Sequence, residues 1–522
     1  MQRSAMIDAL RQQGATPWDV LIIGGGATGL GAAVEAASRG YKTLLLEQHD
    51  FAKGTSSRST KLIHGGVRYL QQGDIGLVLE ALHERGLLRQ NAPHLVRNQQ
   101  FIIPNYEWWN GPFYTIGMKV YDMMAGSLGL GPSEHISKEE TMHAIANLKE
   151  EGLRGGVIYY DGQFDDSRLA INLAQTAVNH EGVVINYMPV TALVKDEKES
   201  VTGVIATDIE TQEQYTIYAK AIVNCTGVFA DTILKMDDPE AGRSIMPSQG
   251  VHIVLNREFL QGDAAIMIPK TSDGRVLFAV PWHDKVVVGT TDTLVQTESL
   301  EPRALEEEID FILSTASLYL TRKPTRHDVK SIFAGLRPLT ASTNNGKQTK
   351  DISRSHKIFV SLSGLITVVG GKWTTYRKMG EDTIDRAVMV GNLPERSSVT
   401  KQLPIHGAAE PVRLDDPLYF YGGDKKYIEA LIAERSVLAE KIHPDLSIIQ
   451  AEVVWAAQSE MARTVEDVLA RRTRALFLDA AASIEMAPVV ARLLAETLGH
   501  DEAWQHAQIQ AFTQLADGYR LA

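Results

Sequence analysis

The sequence predicts an α/β fold that carries a mixed α+β second domain and ends in a helical C-terminal domain. Three observations predict it. First, Asp19-Val20-Leu21-Ile22-Ile23-Gly24-Gly25-Gly26-Ala27-Thr28-Gly29-Leu30 reads as a strand, a glycine-rich turn and a helix, and Leu44-Leu45-Leu46-Glu47 then follows as a second strand. Second, this βαβ opening is followed much later by another helix and a run of strands, which predicts a sheet assembled from distant pieces. Third, from about Tyr427 the pattern is helical to the end of the chain.

The opening element is a dinucleotide fingerprint. Gly24 permits the tight turn, Gly26 lets backbone N–H groups approach a pyrophosphate, and Gly29 lets the helix pack close to the sheet. The helix start, which continues through Ala32, Ala33, Val34, Ala36 and Ala37, offers free N–H donors and a positive dipole end to phosphates. Glu47, at the end of the second strand, is placed to accept the hydroxyls of an adenosine ribose. The fingerprint alone does not separate NAD from FAD.

Downstream, Ile75 to Asn91 predicts a helix from the spacing of Val78, Leu79, Leu82, Leu87 and Leu88, and Phe101 to Gly131 reads as irregular and aromatic-rich. Asp166 is expected to cap a helix over Ser167–His180. Strands are expected at Val183–Tyr187, Thr191–Val194, Val201–Asp208, Gln214–Tyr218 and Ala221–Asn224. Val251–Leu255, Val276–Val280 and Val286–Gly289 are expected to form a substrate-covering sheet. Ile448–Phe477 reads as one uninterrupted helical pattern, in a separate domain joined near Pro404–Pro411.

Composition narrows the functional classes. The net charge of −12, with no basic run, argues against nucleic acid as a partner. The single cysteine, Cys225, excludes an intrachain disulfide and makes a reducing, cytoplasmic setting the default. Met1 to Gly14 carries Arg3, Asp8 and Arg11 and is not expected to be a signal peptide, and no uncharged apolar run reaches membrane-spanning length. Any membrane contact is therefore expected to be peripheral. No histidine, cysteine or carboxylate cluster has metal-ligand spacing, so no metal is expected.

Two further motifs carry chemistry. Ile222-Val223-Asn224-Cys225-Thr226-Gly227 is a strand running into a turn that approaches a pyrophosphate in dinucleotide folds. Ile358 to Arg377 reads as two apolar strands followed by Gly370-Gly371-Lys372-Trp373-Thr374-Thr375-Tyr376-Arg377, where the glycines permit close approach and the helix start stabilises negative charge.

The chain resembles the FAD-dependent, quinone-linked glycerol-3-phosphate dehydrogenases of the D-amino-acid-oxidase-like superfamily. The resemblance rests on Gly24–Gly29, on Thr55-Ser56-Ser57-Arg58-Ser59-Thr60-Lys61-Leu62-Ile63-His64-Gly65-Gly66-Val67-Arg68-Tyr69-Leu70 and on Gly250-Val251-His252-Ile253-Val254. It extends through Pro281-Trp282, Gly289-Thr290-Thr291-Asp292, Gly335-Leu336-Arg337-Pro338-Leu339, Ser353-Arg354 and Gly370–Arg377. It implies a glutathione-reductase-type FAD-binding domain over 17–75, 155–245 and 350–400. A mixed α+β substrate domain over 76–154 and 246–349 and a helical domain over 401–522 complete the chain.

The implied reaction is oxidation of sn-glycerol 3-phosphate to dihydroxyacetone phosphate, with hydride passing from C2 to flavin N5 and electrons then to quinone. Arg68, Tyr69, Arg337, Arg354 and Lys372 match positions lining the substrate pocket, where guanidinium forks and an ammonium suit a phosphate dianion. Thr55, Ser56, Ser57, Lys61, Leu62, His64, Gly65, Gly66, Thr226, Gly227, Gly371, Lys372, Trp373 and Thr374 are expected around the cofactor, with Gly24, Gly26, Gly29 and Glu47. His64 and His252 are both candidates for the base that takes the C2 hydroxyl proton, and Arg337 is a candidate for stabilising the developing alkoxide. Lys372 is also expected at the flavin edge where negative charge develops. The resemblance further implies a peripheral contact with the inner face of the cytoplasmic membrane, for which Trp108 to Tyr121 is the candidate region. A homodimer and an oxygen-reducing oxidase stay open as alternatives, as does a same-fold oxidoreductase of 2-hydroxy or 2-amino acids.

Overall fold

The computed structural model describes residues 1–66, 74–107, 110–269, 271, 276–341, 355–409 and 411–521. The strand Trp18–Ile23 lies in the middle of the first sheet because both its faces are covered, which is why it reads as a continuous apolar run. It pairs in parallel with Thr43–Leu46 on one side and with Ala219–Asn224 on the other. Val183–Ile185 extends the sheet in parallel beyond Thr43–Leu46, and Ile366–Val369 extends it beyond Asn224, with Lys357–Val360 antiparallel at the edge.

The two strands expected at Gln214–Tyr218 and Ala221–Asn224 are one strand, Gln214–Asn224. Its first half pairs antiparallel with Val201–Thr207 and its second half pairs in parallel with Trp18–Ile23, so one extended segment serves two neighbours.

A second sheet stands over the first. Its long central pairs are Ile245–Asn256 with Ser331–Thr340 and Val96–Asn105 with Gly155–Phe164, bridged by Lys285–Gly289, Leu277–Trp282 and Ala265–Ile268. The sheet expected at Val251–Leu255, Val276–Val280 and Val286–Gly289 is therefore present, with strands longer than those apolar runs suggested. Gly155–Phe164 and Leu62–Ile63 belong to this second sheet, which departs from their expected placement on the dinucleotide side.

The helix Ile75–Asn91 is as expected, with Asp74 accepting from the Leu77 N–H as its cap. The Phe101–Gly131 region is not irregular: the strand Val96–Asn105 and the helix Asn110–Ala125 occupy it, and Gly111-Pro112 falls in the first turn of that helix, where proline's missing N–H costs nothing. The later helix spans Asp166–Asn179, and its cap is Asp165, which accepts from the Arg168 N–H. Asp166 is drawn instead into a buried ion pair with Lys61.

The Ile448–Phe477 pattern is broken into Gln450–Ser459, a π-helical turn Asp467–Arg472 and Ala475–Leu478. Met461 takes a left-handed conformation at φ 57°, and Asp467 turns back to accept the N–H groups of Arg463 and Thr464. The apolar run is continuous because the segment is buried on every side, not because the helix is. Nor is the C-terminal unit separate in its packing: one hydrophobic core runs from Val20 and Leu30 through Phe164 and Ile384 to Leu494 and Phe512.

Among the described residues, no helix is long and apolar enough to cross a membrane, and no group of three potential metal ligands comes together.

Candidate cofactor and substrate cleft

The cleft opens where the C-terminal ends of the first sheet's strands meet the second sheet, the place where open α/β sheets leave room for a ligand. Its floor is the fingerprint turn. Gly24 sits at φ 108°, and a Cβ on Gly29 would stand 1.9 Å from the Gly24 carbonyl oxygen, so turn and helix touch without side chains between them. The helix Ala27–Ser38 begins there, with Gly26 as its cap.

Three segments distant in sequence converge on this turn. The Ser56 hydroxyl accepts the Ala27 N–H at 2.9 Å, and its carbonyl accepts the Trp373 indole N–H at 2.8 Å. The neighbouring Thr55 hydroxyl donates to the Leu336 carbonyl at 2.6 Å, beside Arg337. Fingerprint, hydroxyl loop, Gly-Gly-Lys motif and the arginine strand are thus joined through two adjacent residues.

Glu47 accepts the Gly25 N–H at 2.6 Å and the His49 N–H at 2.8 Å. Burial pushes its carboxyl above the ordinary range against the pull of those bonds, so a further hydroxyl donor at this carboxylate would be favoured.

At the opposite wall, His252 and Arg337 lie on paired antiparallel strands in a register of Ser248 to Arg337, Gly250 to Gly335 and His252 to Phe333. A Cβ on Gly250 would stand 2.3 Å from an Arg337 guanidinium nitrogen, so its absence lets the guanidinium lie across the sheet. Arg337 donates through Nη1 to the Gln249 carbonyl at 3.3 Å and to Asp292 Oδ1 at 3.4 Å. Through Nη2 it donates to Thr290 Oγ1 and the Thr291 carbonyl, both at 3.0 Å, while 22% of the side chain stays exposed to the cleft.

Behind it, buried Glu308 accepts from the hydroxyls of Thr291 at 2.8 Å and Thr293 at 2.7 Å and from the Gln249 amide at 2.7 Å, fixing the loop that grips the arginine. His252 is stacked on Phe333 with ring centroids 5.0 Å apart, and its Nε2 lies 2.9 Å from Thr60 Oγ1. Burial, aided by Arg337 and Lys61, pushes its basicity well below that of an ordinary imidazole, so the ring is neutral near pH 7.

Of the residues expected at the site, Gly24, Gly26, Glu47, Thr55, Ser56, Leu62, His64, Gly66, Thr226, Gly227, His252, Arg337, Gly371, Lys372, Trp373 and Thr374 line the cleft. Gly29, Ser57, Lys61 and Gly65 do not. The Ser57 hydroxyl donates to the Ala52 carbonyl, and Gly65 donates its N–H at 2.8 Å to Tyr121 Oη, part of a buried set with Asp161 and Arg85.

Lys61 departs from its expected cofactor role: its ammonium is fully buried, 2.7 and 2.8 Å from the two Asp166 oxygens and about 5 Å over the rings of Trp282, Phe333 and Phe477. Arg68, Tyr69 and Arg354 lie outside the described residues, as do Trp108 and Trp109. Sequence reasoning gave no role to Lys53, Thr290 or Asp292, all of which line the cleft, nor to an apolar end built from Phe101, Tyr159, Met267 and Phe278. The Gly289–Asp292 stretch was the available signal for Thr290 and Asp292.

The donor set fits a flavin dinucleotide: backbone N–H groups and a helix dipole for phosphates, a carboxylate for the ribose, and a wall with cationic groups at the far end. Comparison with known proteins agrees. Residues 19–377 match the family model described as FAD dependent oxidoreductase, and residues 368–505 match the C-terminal domain of alpha-glycerophosphate oxidase. A Caenorhabditis elegans protein named probable mitochondrial glycerol-3-phosphate dehydrogenase is 41% identical, over 94% of this chain and 72% of its own length. The human mitochondrial glycerol-3-phosphate dehydrogenase is 38% identical over 96% of this chain and 73% of its own. A crystal structure of the Bacillus halodurans glycerol-3-phosphate dehydrogenase complexed with FAD aligns with a TM-score of 0.81 at 29% identity, covering 99% of this chain and 98% of that one. On sequence and on fold, the chain belongs to the glycerol-3-phosphate dehydrogenase branch of the FAD-dependent oxidoreductase family.

Proposed function

We propose that this protein oxidises sn-glycerol 3-phosphate to dihydroxyacetone phosphate with FAD and passes the electrons to quinone. The observation that carries the reading is the placing of Arg337, Lys372 and His252 along the same cleft as the dinucleotide fingerprint. The names of the relatives support the substrate.

Gly24, Gly26 and the Ala27 helix start would hold the pyrophosphate, Glu47 the ribose, and Thr55, Ser56, Thr226, Gly371 and Trp373 the remainder of the cofactor. Bound FAD supplies the hydride acceptor. The chain supplies position and charge. Arg337, always protonated and already aligned by four acceptors, meets an anionic oxygen of the substrate as a preformed donor and loses little entropy in doing so. Lys372 adds a point charge at the N-terminal boundary of the turn Trp373–Thr375. His252, held neutral, has a ring nitrogen able to take the hydroxyl proton, and Thr60 fixes the plane of the ring. His64 lines the same cleft and remains the alternative base.

Exposed Ile75, Leu79, Ile116, Val120 and Met123, on the helices Ile75–Asn91 and Asn110–Ala125, favour a peripheral membrane contact at the cytoplasmic face. Such a contact would bring the apolar end of the cleft near a lipid-soluble acceptor.

Anaerobic mixing of the FAD-loaded protein with glycerol 3-phosphate tests the reading. The visible flavin band should bleach and return on adding a quinone analogue. No bleaching with this substrate overturns the substrate assignment, and fast return in air with peroxide formation overturns the acceptor.

A further inference from the structure

The loop that carries Thr55, Ser56 and Ser57 is bracketed by charged residues, and none of them turns its charge toward the fingerprint. Asp50 is fully buried and receives the guanidinium groups of Arg471 (2.5 Å) and Arg472. Lys53 donates to both oxygens of Glu466 at 2.6 Å. Arg58 donates to the Tyr519 hydroxyl at 3.0 Å and pairs at 2.8 Å with Glu301, which also accepts from Tyr519. Lys61 stands over Phe477.

Arg471, Arg472, Glu466, Phe477 and Tyr519 all belong to the C-terminal domain, three of them on or beside the π-helical turn. The same loop meets the cofactor floor through Ser56 to Ala27 and through the Ala52 N–H to the Gly25 carbonyl at 2.9 Å. One face of the loop therefore meets the fingerprint turn while the other is bolted to residues between Glu466 and Tyr519.

We propose that the C-terminal domain acts as a clamp on the cofactor: residues Glu466, Arg471, Arg472 and Tyr519 hold the 50–61 loop in its FAD-binding form. FAD binding and docking of this domain are then one coupled equilibrium. These are positioning residues, acting through Asp50, Lys53 and Arg58. Coupling of this kind is reciprocal: whatever the domain adds to FAD affinity, FAD adds to the docking of the domain. Removing one partner of a buried, hydrogen-bonded pair leaves the other charge uncompensated, so the loop should relax even where the fold persists.

The test uses the full chain and rests on FAD occupying the cleft. Hydrogen exchange of the unmodified protein is compared with and without FAD, so no variant has to fold for the first reading. Binding of FAD should slow exchange over 460–478 as well as over 50–61. Glu466→Gln and Tyr519→Phe are then titrated with FAD, with Arg492→Ala, which pairs with Glu496 on the solvent side of the helix Ala480–Leu498, as the control. The first two should weaken FAD binding roughly 10-fold or more, the size expected for one charge-assisted bond, and the control should not. Loaded with saturating FAD, both variants should keep the unmodified KM for substrate, a split that general destabilisation would not give. Unchanged exchange over 460–478 together with unmodified FAD affinity in both variants overturns the clamp. Failure of the unmodified protein to take up FAD overturns the cofactor assignment itself.

Discussion

Arg337 is held in the cleft by protein groups: a carboxylate, a hydroxyl and two carbonyls accept from its guanidinium. Such a fork cannot be replaced by a point charge. Arg337→Lys should keep the cation but lose the four-acceptor grip that fixes its position, raising the substrate constant roughly 10- to 100-fold while FAD stays bound; a bleaching rate with unmodified substrate dependence would remove Arg337 from the pocket. Positions in the cleft were legible in sequence where the motif itself faces it, as at Ser56, Lys372 and Arg337. They were not legible at Lys61. Its place inside a specific motif suggested cofactor contact, but its charge is used against Asp166, 105 residues away, a pairing that no local pattern encodes.

Among the elements, the strand–turn–helix from Trp18 to Ser38 is the most constrained. Its glycines answer to backbone rather than to adaptable side chains. Gly29→Ala places a methyl 1.9 Å from the Gly24 carbonyl oxygen, and relief requires the turn and helix to separate. The protein should purify without its yellow colour and with stability lowered by about 3 kcal/mol; a normal ratio of visible to ultraviolet absorbance would contradict this. Elements of this kind were readable because their signals are local. The break at Met461 and the turn Asp467–Arg472 were not, since total burial erases the polar face that marks a helix's period and ends. The helix Asn110–Ala125 was hidden by its opposite: Gly, Pro, aromatic and β-branched residues with weak helical preference, stabilised by packing of Met118 and Tyr121 into the core of the second sheet.

In the whole molecule, the two dinucleotide-side layers and the C-terminal helices share one core, and charge is buried where they meet. Burial pushes the Glu466 carboxyl up, but Arg471 and Lys53 outweigh it and hold it at about 2. A folded-state value below the unfolded one means that protons bind the unfolded chain first. The stabilisation is therefore complete above about pH 4.5 and drains as pH falls toward 2, amounting to up to about 3 kcal/mol. Urea unfolding of the unmodified protein should lose that much more than Glu466→Gln across this window, and parallel losses would show that the carboxylate is not held by the pair. The contact between Arg58 and Tyr519 joins positions 461 residues apart. It has a consequence for the order of events during synthesis. A ribosome will have made the fingerprint, the hydroxyl loop and both sheets long before it reaches Tyr519, so the nascent chain carries a flavin site whose outer bolts do not yet exist. On the clamp proposed above, tight binding of the cofactor waits until the segment carrying Tyr519 has been made and has docked against Arg58.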